Sequence, residues 1–193
     1  MLGVLCLLVA VPALWAVVVR NRFVAYLNLV AESWRQVDVE LRRRHDLIPN
    51  LVRTVEAQAA YERSTLEALV AARAQAMAAH DWAQRADGED GLGRAVRFAL
   101  AQFEAYPQLR ASQQFVALQR ELVDTEDRIA AGRRLYNGNV RALNTALTSF
   151  PSSLIGSAMG VLPGQYFEVL GSAQGAPPAL PPGQYWPGSA LRP

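Results

Sequence analysis

A stripe of apolar side chains between Trp34 and Val55 most restricts what this chain can fold into. The members of the stripe recur three, four or seven positions apart: Trp34, Val37, Leu41, Ile48, Leu51 and Val55. This spacing places them along one side of an α-helix, and other elements must cover that side. Arg44 falls on the same stripe, where a guanidinium must reach solvent or meet an acidic partner on a facing helix.

Pro49 lies inside this stripe and predicts an irregularity. Proline has no backbone N–H, and it disfavours helical geometry at the residue before it, which here is Ile48. The sequence therefore predicts a kink or a break at Pro49. In that case Asp46 could cap a helix that restarts beyond it.

A second and longer stripe runs from Phe115 to Phe150. Its members alternate three and four positions apart: Phe115, Leu118, Leu122, Thr125, Ile129, Gly132, Tyr136, Asn139, Leu143, Ala146 and Phe150. A period near 3.5 is typical of left-handed bundle or coiled-coil packing. We predict one helix over 113–150, capped by Ser112. The small or polar members Thr125, Gly132 and Asn139 would let another helix approach closely or set the register.

The remaining pattern predicts shorter elements around these two stripes. The helical period extends over 23–77, and 92–106 has the pattern of a short helix. Residues 80–93 are polar and contain several glycines, which predicts a loop. Residues 154–169 are ambiguous, and one interpretation is a short helix that closes the bundle with Phe167 packed against it.

The N-terminal segment from Met1 to Val19 contains no charged side chain. At about 1.5 Å per residue, a helix of this length crosses roughly the 30 Å hydrocarbon core of a bilayer. We predict an uncleaved transmembrane anchor over 1–20; a cleaved signal peptide is the alternative, but the basic region that normally precedes its apolar stretch is missing. Arg20 and Arg22 follow the apolar run. The positive-inside rule then places the N-terminus outside and the rest of the chain in the cytoplasm, at the cell inner membrane.

Composition narrows the class of protein further. The formal net charge of +2 does not suggest a nucleic-acid partner, which requires a clustered basic face. Cys6 is the single cysteine, so an intrachain disulfide or a thiolate-rich metal site is excluded. Residues 170–193 are rich in proline, glycine and alanine, and predict a disordered tail that builds no core.

No arrangement typical of catalysis or metal binding stands out in the sequence. A di-iron bundle needs Glu-x-x-His pairs, but Arg42 precedes His45 by three positions and Met77 precedes His80. Adjacent residues on a helix point about 100° apart, so His45 and Asp46 cannot bond as a base and its orienting acid without help. We therefore predict no cofactor and no metal. An accessory enzyme with a polar pocket at His45 and Asp46 remains an alternative, and it predicts a concave site with shifted titration.

Charged residues form a second cluster on the later stripe's helix: Glu121, Asp124, Glu126, Asp127, Arg128, Arg133 and Arg134. At helical spacing, the pairs Asp124–Arg128 and Glu126–Arg133 lie on neighbouring faces, which predicts a solvated surface that pairs with itself. The alternative is that Arg44 reaches across to Glu121, Thr125 or Glu126 and fixes the register of the two helices.

Two motifs in these stretches resemble the LemA family. The first is RRHDLIPNL at 43–51. The second is EDRIA at 126–130 followed by RRLYN at 133–137, then Asn144 and FPS at 150–152; YFE at 166–168 is similar to the closing motif. The resemblance covers about residues 1–169.

This resemblance implies an all-α fold, in which an N-terminal transmembrane helix precedes an elongated antiparallel helical bundle over 23–169. It implies no catalytic residue. Members of the family are linked to membrane stress and to a membrane-embedded zinc metalloprotease, and one branch is linked to building magnetosome membranes.

We therefore expect a membrane-anchored, non-enzymatic interaction or scaffold module. Its partners would be the lipid bilayer and a membrane protein, such as a membrane metalloprotease, or a second copy of the chain in a homo-oligomer. A self-associating protein that shapes membranes is the alternative. The expected interaction residues are Arg43, Arg44, Asp46, Asn50, Arg134, Asn137 and Asn144.

Overall fold

The computed structural model describes residues 2–58 and 63–168 of the chain. These residues form six helices: α1 Leu2–Glu56, α2 Arg63–Met77, α3 Trp82–Phe103, α4 Pro107–Ala111, α5 Gln113–Thr148 and α6 Ser152–Ala158. Across these two ranges there is no strand, and the predicted all-α fold is confirmed. The predicted tail over 170–193 lies outside the described residues.

The described residues divide into two compact units. Unit 1 contains residues 2–35 and 134–166, and unit 2 contains 36–58, 63–133 and 167–168. The long helices α1 and α5 each contribute residues to both units. The predicted domain boundaries at 1–20, 23–169 and 170–193 stay predictions. Each compact unit combines segments that are distant in the sequence, so the units do not test these boundaries.

Unit 2 holds the larger apolar core, built from the second part of α1, from α2 to α4 and from the first part of α5. The apolar stripe of α1 enters this core at Ile48, Leu51 and Val55, which are fully buried. Phe103 of α3 and Phe115 of α5 meet edge to face, with 6.2 Å between ring centroids. Such aromatic pairs add about 0.5–1.5 kcal/mol to the effect of burial alone.

The helix α1 continues through Pro49 to Glu56, so a break at Pro49 is wrong and Asp46 caps no restarted helix, while a kink there stays a prediction. Proline cannot donate to the carbonyl four residues earlier, which is that of His45. Arg73 of α2 donates to this carbonyl instead, from its Nε atom at 2.8 Å. A side chain on another helix therefore replaces the hydrogen bond that Pro49 removes.

The predicted loop over 80–93 is also wrong, because α3 begins at Trp82 and includes most of this segment. Asp81 caps the helix by accepting a hydrogen bond from the backbone N–H of Gln84 at 2.8 Å. A Cβ atom added to Gly88 would lie 3.0 Å from the Cα atom of Ala76. Packing against α2 thus requires glycine here and overrides its weak helix propensity.

The long helix predicted over 113–150 is confirmed in α5, which ends two residues earlier, and Ser112 caps it through Phe115 N–H at 3.3 Å. In unit 2, a Cβ atom on Gly132 would lie 2.9 Å from Val37 Cγ2, so this glycine permits close approach of α1 and α5. In unit 1, Asn139 donates to Ser33 Oγ at 3.1 Å and to a backbone carbonyl of α1. These small or polar positions have the roles that their spacing predicted.

Unit 1 has its own core, where α1 and α5 run antiparallel. The rings of Trp34 and Tyr136 meet edge to face at 5.5 Å, and the Tyr136 hydroxyl donates to the Gln165 carbonyl at 2.8 Å. Burial raises the pKa of Tyr136 above its ordinary value, so this hydroxyl stays a donor over the physiological range. Gly156 of α6 packs closely against Phe23, because a Cβ atom added to this glycine would lie 3.0 Å from the Phe23 ring.

The first turns of α1 expose their apolar side chains. Leu7, Leu8, Val9 and Leu14 are each more than 60% exposed, whereas a core helix would hide them. Within the described chain, α1 is the helix long and apolar enough to cross a membrane, and only 6% of its most apolar window is buried. These properties support the predicted membrane anchor.

Candidate functional site

A buried ion-pair cluster in unit 2 joins one charged residue from each of the two main sequence motifs, Arg44 and Glu126. Arg44 of α1 is only 2% exposed. Its Nη1 atom donates to Glu126 Oε1 at 2.6 Å, and its Nη2 atom donates to Glu89 Oε2 at 2.6 Å and to the Glu89 carbonyl at 2.8 Å. The predicted contact between Arg44 and Glu126 is therefore confirmed, and it ties α1 to α5 and α3.

Glu89 is the member of this cluster that sequence reasoning missed. It is 3% exposed and also lies 3.1 Å from Nε2 of His45. The sequence predicts a loop over 80–93, which gives no reason to expect an inward carboxylate there. The signal that could have found it was the need for a second acid beside Arg44, because a buried guanidinium has more donors than one carboxylate accepts.

The cluster fits tightly beneath α3 because Gly93 has no side chain. A Cβ atom at Gly93 would lie 3.0 Å from Arg44 Nη1 and 3.1 Å from Glu126 Oε2. Both atoms belong to side chains that are ion-paired with each other, and Arg44 is also buried, so they have little freedom to move away. Gly93 thus leaves room for the charged groups between the helices.

Two opposing effects act on the pKa of Glu89. Burial would raise it, but the hydrogen bond and charge of His45, together with Arg44, outweigh burial and hold it below the ordinary value of 4.5. The carboxylate is therefore ionised at neutral pH and surrounded by donors. Such a group stabilises positive neighbours and is a poor general base.

This pKa predicts that the protein loses stability in acid. Between the folded and the unfolded pKa of Glu89, the unfolded chain binds more protons, so the free energy of unfolding rises with pH. The contribution is complete above pH 4.5 and is lost as the pH falls through the lower folded value. We expect Glu89→Gln to remove this part of the acid dependence. Thermal unfolding of the full chain from neutral pH to pH 3 measures it, and the exposed Glu67→Gln is the control for losing one carboxylate.

Further pairs connect the helices of unit 2 around the cluster. Arg97 of α3 lies 3.4 Å from Glu126, and Arg128 of α5 lies 3.5 Å from Glu40 of α1. Glu126, Arg128 and Arg133 of α5 therefore pair with other helices. The predicted pairing of Glu126 with Arg133 and of Asp124 with Arg128 is wrong, although most of this cluster is exposed to solvent as predicted.

Arg133 of α5 also forms an ion pair with α3. Its Nη1 atom donates to Asp90 of α3 at 2.9 Å, and its Nε atom donates to the Phe167 carbonyl at 3.3 Å. The guanidinium also stacks over the Phe167 ring, with 5.2 Å to the centroid. Arg133 thus holds Phe167 of the closing motif in place within unit 2.

A cavity of about 210 Å³ lies next to the cluster. Its charged lining residues are Arg44, Glu89, Asp90, Arg97, Glu126, Asp127 and Arg133. The lining contains both acids and arginines, and most of them already pair with each other. In the described part of the chain, no group of three His, Cys, Asp or Glu side chains could hold a metal ion.

His45 and Asp46 do not come together. His45 is half-buried and faces Glu89, whereas Asp46 is exposed on another side of α1. Neither residue lines the cavity beside the cluster. The structure therefore does not assemble the pair on which the enzymatic alternative depends.

The predicted interaction residues separate into exposed and inward groups. Arg43 and Asp46 are exposed on α1, Asn50 is half-buried and accepts a hydrogen bond from Arg53, and Arg134 is exposed on α5. Arg44 does not belong to an accessible surface because it is buried.

The two remaining asparagines of that prediction also face inward in unit 1. Asn137 is buried, with 9% exposure. Asn144 donates to the Gly164 carbonyl at 3.0 Å and accepts from the Gly164 N–H at 2.7 Å. Their contacts hold the fold, and whether any of the predicted residues binds a partner stays a prediction.

Comparisons with known proteins agree with the motifs. The model of the LemA family matches residues 33–180. Two relatives are the magnetosome protein MamQ of Magnetospirillum gryphiswaldense, 32% identical over 83 residues, and the magnetosome protein MamQ 2 of Paramagnetospirillum magneticum, 31% identical over 83 residues. Each match covers 43% of this chain and 30% of the relative's length. Together with the apolar first helix, they support a membrane-associated helical protein. Because the family model spans most of the sequence, the chain belongs to the LemA family.

Proposed function

We propose that this protein is a membrane-anchored, non-enzymatic interaction module, which binds another membrane protein through the exposed face of α1 in unit 2. The observation that carries the proposal is the difference in burial between neighbouring charged residues of the motif at 43–51. Arg44 is buried and paired, whereas Arg43 and Asp46 on either side of it are exposed. Neither of the two forms an ion pair within the described residues.

This exposed face is a continuous polar strip. Arg43, Asp46 and Asn50 follow each other at intervals of three and four positions, so they lie along one side of the helix. The strip ends at a small depression of about 140 Å³, whose lining includes Asn50, Arg53 and Gln114. Opposite charges that form no ion pair with any described residue favour a partner surface of complementary charge and fix its register.

The ion-paired interior supports a scaffold role over an enzymatic one. The cluster of Arg44, Glu89 and Glu126 leaves its carboxylates surrounded by donors, and His45 is turned toward it. A site of this kind positions helices, whereas catalysis needs groups free to exchange protons with a substrate. The names of the relatives refer to magnetosomes, and they carry no activity over to this chain.

Crosslinking in native membranes tests the proposal. A photoreactive residue at position 46 of the full chain is expected to capture a partner protein, and the same probe at exposed position 120 is the control. Arg43→Glu should reduce the yield at position 46 by about fivefold or more, because one contact charge is worth roughly 1 kcal/mol. Arg120→Glu makes the same charge change elsewhere and should leave the yield unaltered.

The result also separates this proposal from its alternatives. Crosslinks between two copies of the chain would favour a self-associating protein that shapes membranes. Equal yields at positions 46 and 120, or no effect of Arg43→Glu, would contradict the α1 face as the binding surface. The inner-membrane location, with the bundle in the cytoplasm, is part of the proposal, and protease accessibility in sealed vesicles of known orientation tests it.

A further inference from the structure

A second concave region lies in unit 1, between the segment of α1 that follows the apolar span and the C-terminal turns of α5. It has a volume of about 460 Å³. Its polar lining consists of Arg22, Tyr26, Arg141, Thr145, Ser149 and Ser152. Gly138 borders the same cleft, and a Cβ atom there would meet nothing within 4 Å, so the cleft is open at this point.

The charge of the cleft is positive and uncompensated. Arg22 donates from Nε to the Tyr26 hydroxyl at 2.8 Å and lies over the Tyr26 ring at 5.5 Å, which orients the guanidinium without neutralising it. Arg141 is exposed and forms no ion pair with any described residue. No carboxylate occurs among the described residues that line the cleft. Two guanidinium groups beside the hydroxyls of Tyr26 and Thr145 match the oxygen atoms of a phosphate. The hydroxyls of Ser149 and Ser152 instead donate to backbone carbonyls.

The position of the cleft identifies the kind of phosphate. Val19, the last residue of the uncharged N-terminal run, lines the cleft together with Arg22. In a membrane-anchored chain, the residues directly after the apolar span lie at the level of the lipid headgroups. A phosphate bound here would therefore belong to a lipid of that leaflet.

Two exposed apolar side chains lie at the same end of unit 1. Phe150 is 82% exposed and lies between the lining residues Ser149 and Ser152 in the sequence. Leu154, two positions after Ser152, is 60% exposed. Large apolar side chains at a headgroup surface insert into the boundary of the acyl chains. They would add an apolar contact beside the arginines.

We propose that this cleft binds the phosphate of an anionic phospholipid, with Phe150 and Leu154 inserted next to it. The site prefers an anionic lipid over a zwitterionic one, because the lining offers no carboxylate to the ammonium group of a zwitterionic headgroup. The inference rests on the membrane anchor and does not depend on the partner-binding face of α1. Bound lipid would fix how unit 1 meets the bilayer.

Native mass spectrometry of the full chain in detergent tests the site. The probes are phosphatidylglycerol and phosphatidylcholine with identical acyl chains, and inorganic phosphate forms a third arm. We expect phosphatidylglycerol to be retained preferentially. Arg22→Gln and Arg141→Gln should each weaken its binding roughly fivefold, since one arginine near an anionic headgroup is worth about 1 kcal/mol.

Arg120→Gln is the matched control, because it removes one exposed arginine from the same chain outside the cleft, and it should leave lipid retention unchanged. Equal retention of the two lipids, or equal losses in all three variants, would overturn the proposal. Inorganic phosphate that displaces phosphatidylglycerol at comparable concentration would overturn the assignment to a lipid and leave a free-anion site. Circular dichroism of each variant verifies that the helices are retained.

A second measurement tests insertion and does not depend on the arginines. An environment-sensitive dye is attached to Phe150→Cys in a Cys6→Ser background, and the labelled chain is placed in nanodiscs. We expect blue-shifted emission relative to a label at Val123→Cys, an exposed position of unit 2. Equal emission from the two positions would contradict the insertion of this end of unit 1.

Discussion

Replacing Arg44 with methionine is expected to lower the free energy of unfolding by about 3–5 kcal/mol, the usual cost of removing one partner of a buried ion pair. The variant leaves Glu89, which is 3% exposed, without its strongest donor. The loss of Arg44 destabilises Glu126 less, because Glu126 is 17% exposed and keeps Arg97 at 3.4 Å. Thermal and denaturant unfolding of the full chain in detergent measures the loss.

Neighbouring and second-site variants show whether the loss comes from the orphaned carboxylate. Arg43→Met removes the adjacent exposed arginine and should change the free energy of unfolding by no more than about 0.5 kcal/mol. Adding Glu89→Gln to Arg44→Met should recover part of the loss, because the uncompensated charge disappears. If the double variant were no more stable than Arg44→Met alone, the explanation by a buried unpaired charge would be wrong.

Gly88→Leu is expected to destabilise the protein by about 3 kcal/mol, the upper end of the usual range for overpacking. The reason is the backbone of α2, since a Cβ atom at position 88 would already lie 3.0 Å from the Cα atom of Ala76. A backbone atom cannot rotate away as a flexible side chain can, so α2 and α3 must separate. Denaturant unfolding monitored by circular dichroism measures the effect.

Gly91→Leu provides a control of opposite sign on the same helix. The nearest atom to a Cβ there is the end of the flexible Arg94 side chain at 3.8 Å, so a side chain at position 91 begins without meeting backbone of another helix. Leucine also has a higher helix propensity than glycine, which should stabilise this variant by about 0.5–1 kcal/mol. Equal effects at positions 88 and 91 would show that helix propensity, and not contact with α2, dominates.

The sequence predicted the helices with the strongest apolar period and missed the one with the weakest. The predicted range of α5, 113–150, exceeds the observed helix by only two residues, because its stripe repeats without interruption over ten turns or so. The start of α3 was missed because Gly88, Gly91 and Gly93 are poor helix formers. Two of these glycines lie where a side chain would collide with Ala76 or with the Arg44 cluster.

At the candidate site, too, the sequence predicted some of the contacts and missed others. Arg44 lay on an apolar stripe, so an acidic partner on a facing helix followed from the cost of burying a lone charge. Glu126 could be named because its own helix was correctly predicted. Glu89 could not be named, since its inward direction depends on a helix whose existence the local sequence did not indicate.

By itself, the sequence determined the class of this protein: an all-helical chain with an apolar first segment and the motifs of the LemA family. It could do so because helical period and segment hydrophobicity are local properties that adjacent residues carry together. Only the tertiary structure decided that α1 continues through Pro49 and that Arg44 lies between two acids, while Arg22 and Arg141 share one cleft. Each of these depends on contacts between side chains from distant segments, which no local pattern encodes. One example is the hydrogen bond that Arg73 donates to the His45 carbonyl, which Pro49 leaves without its usual donor.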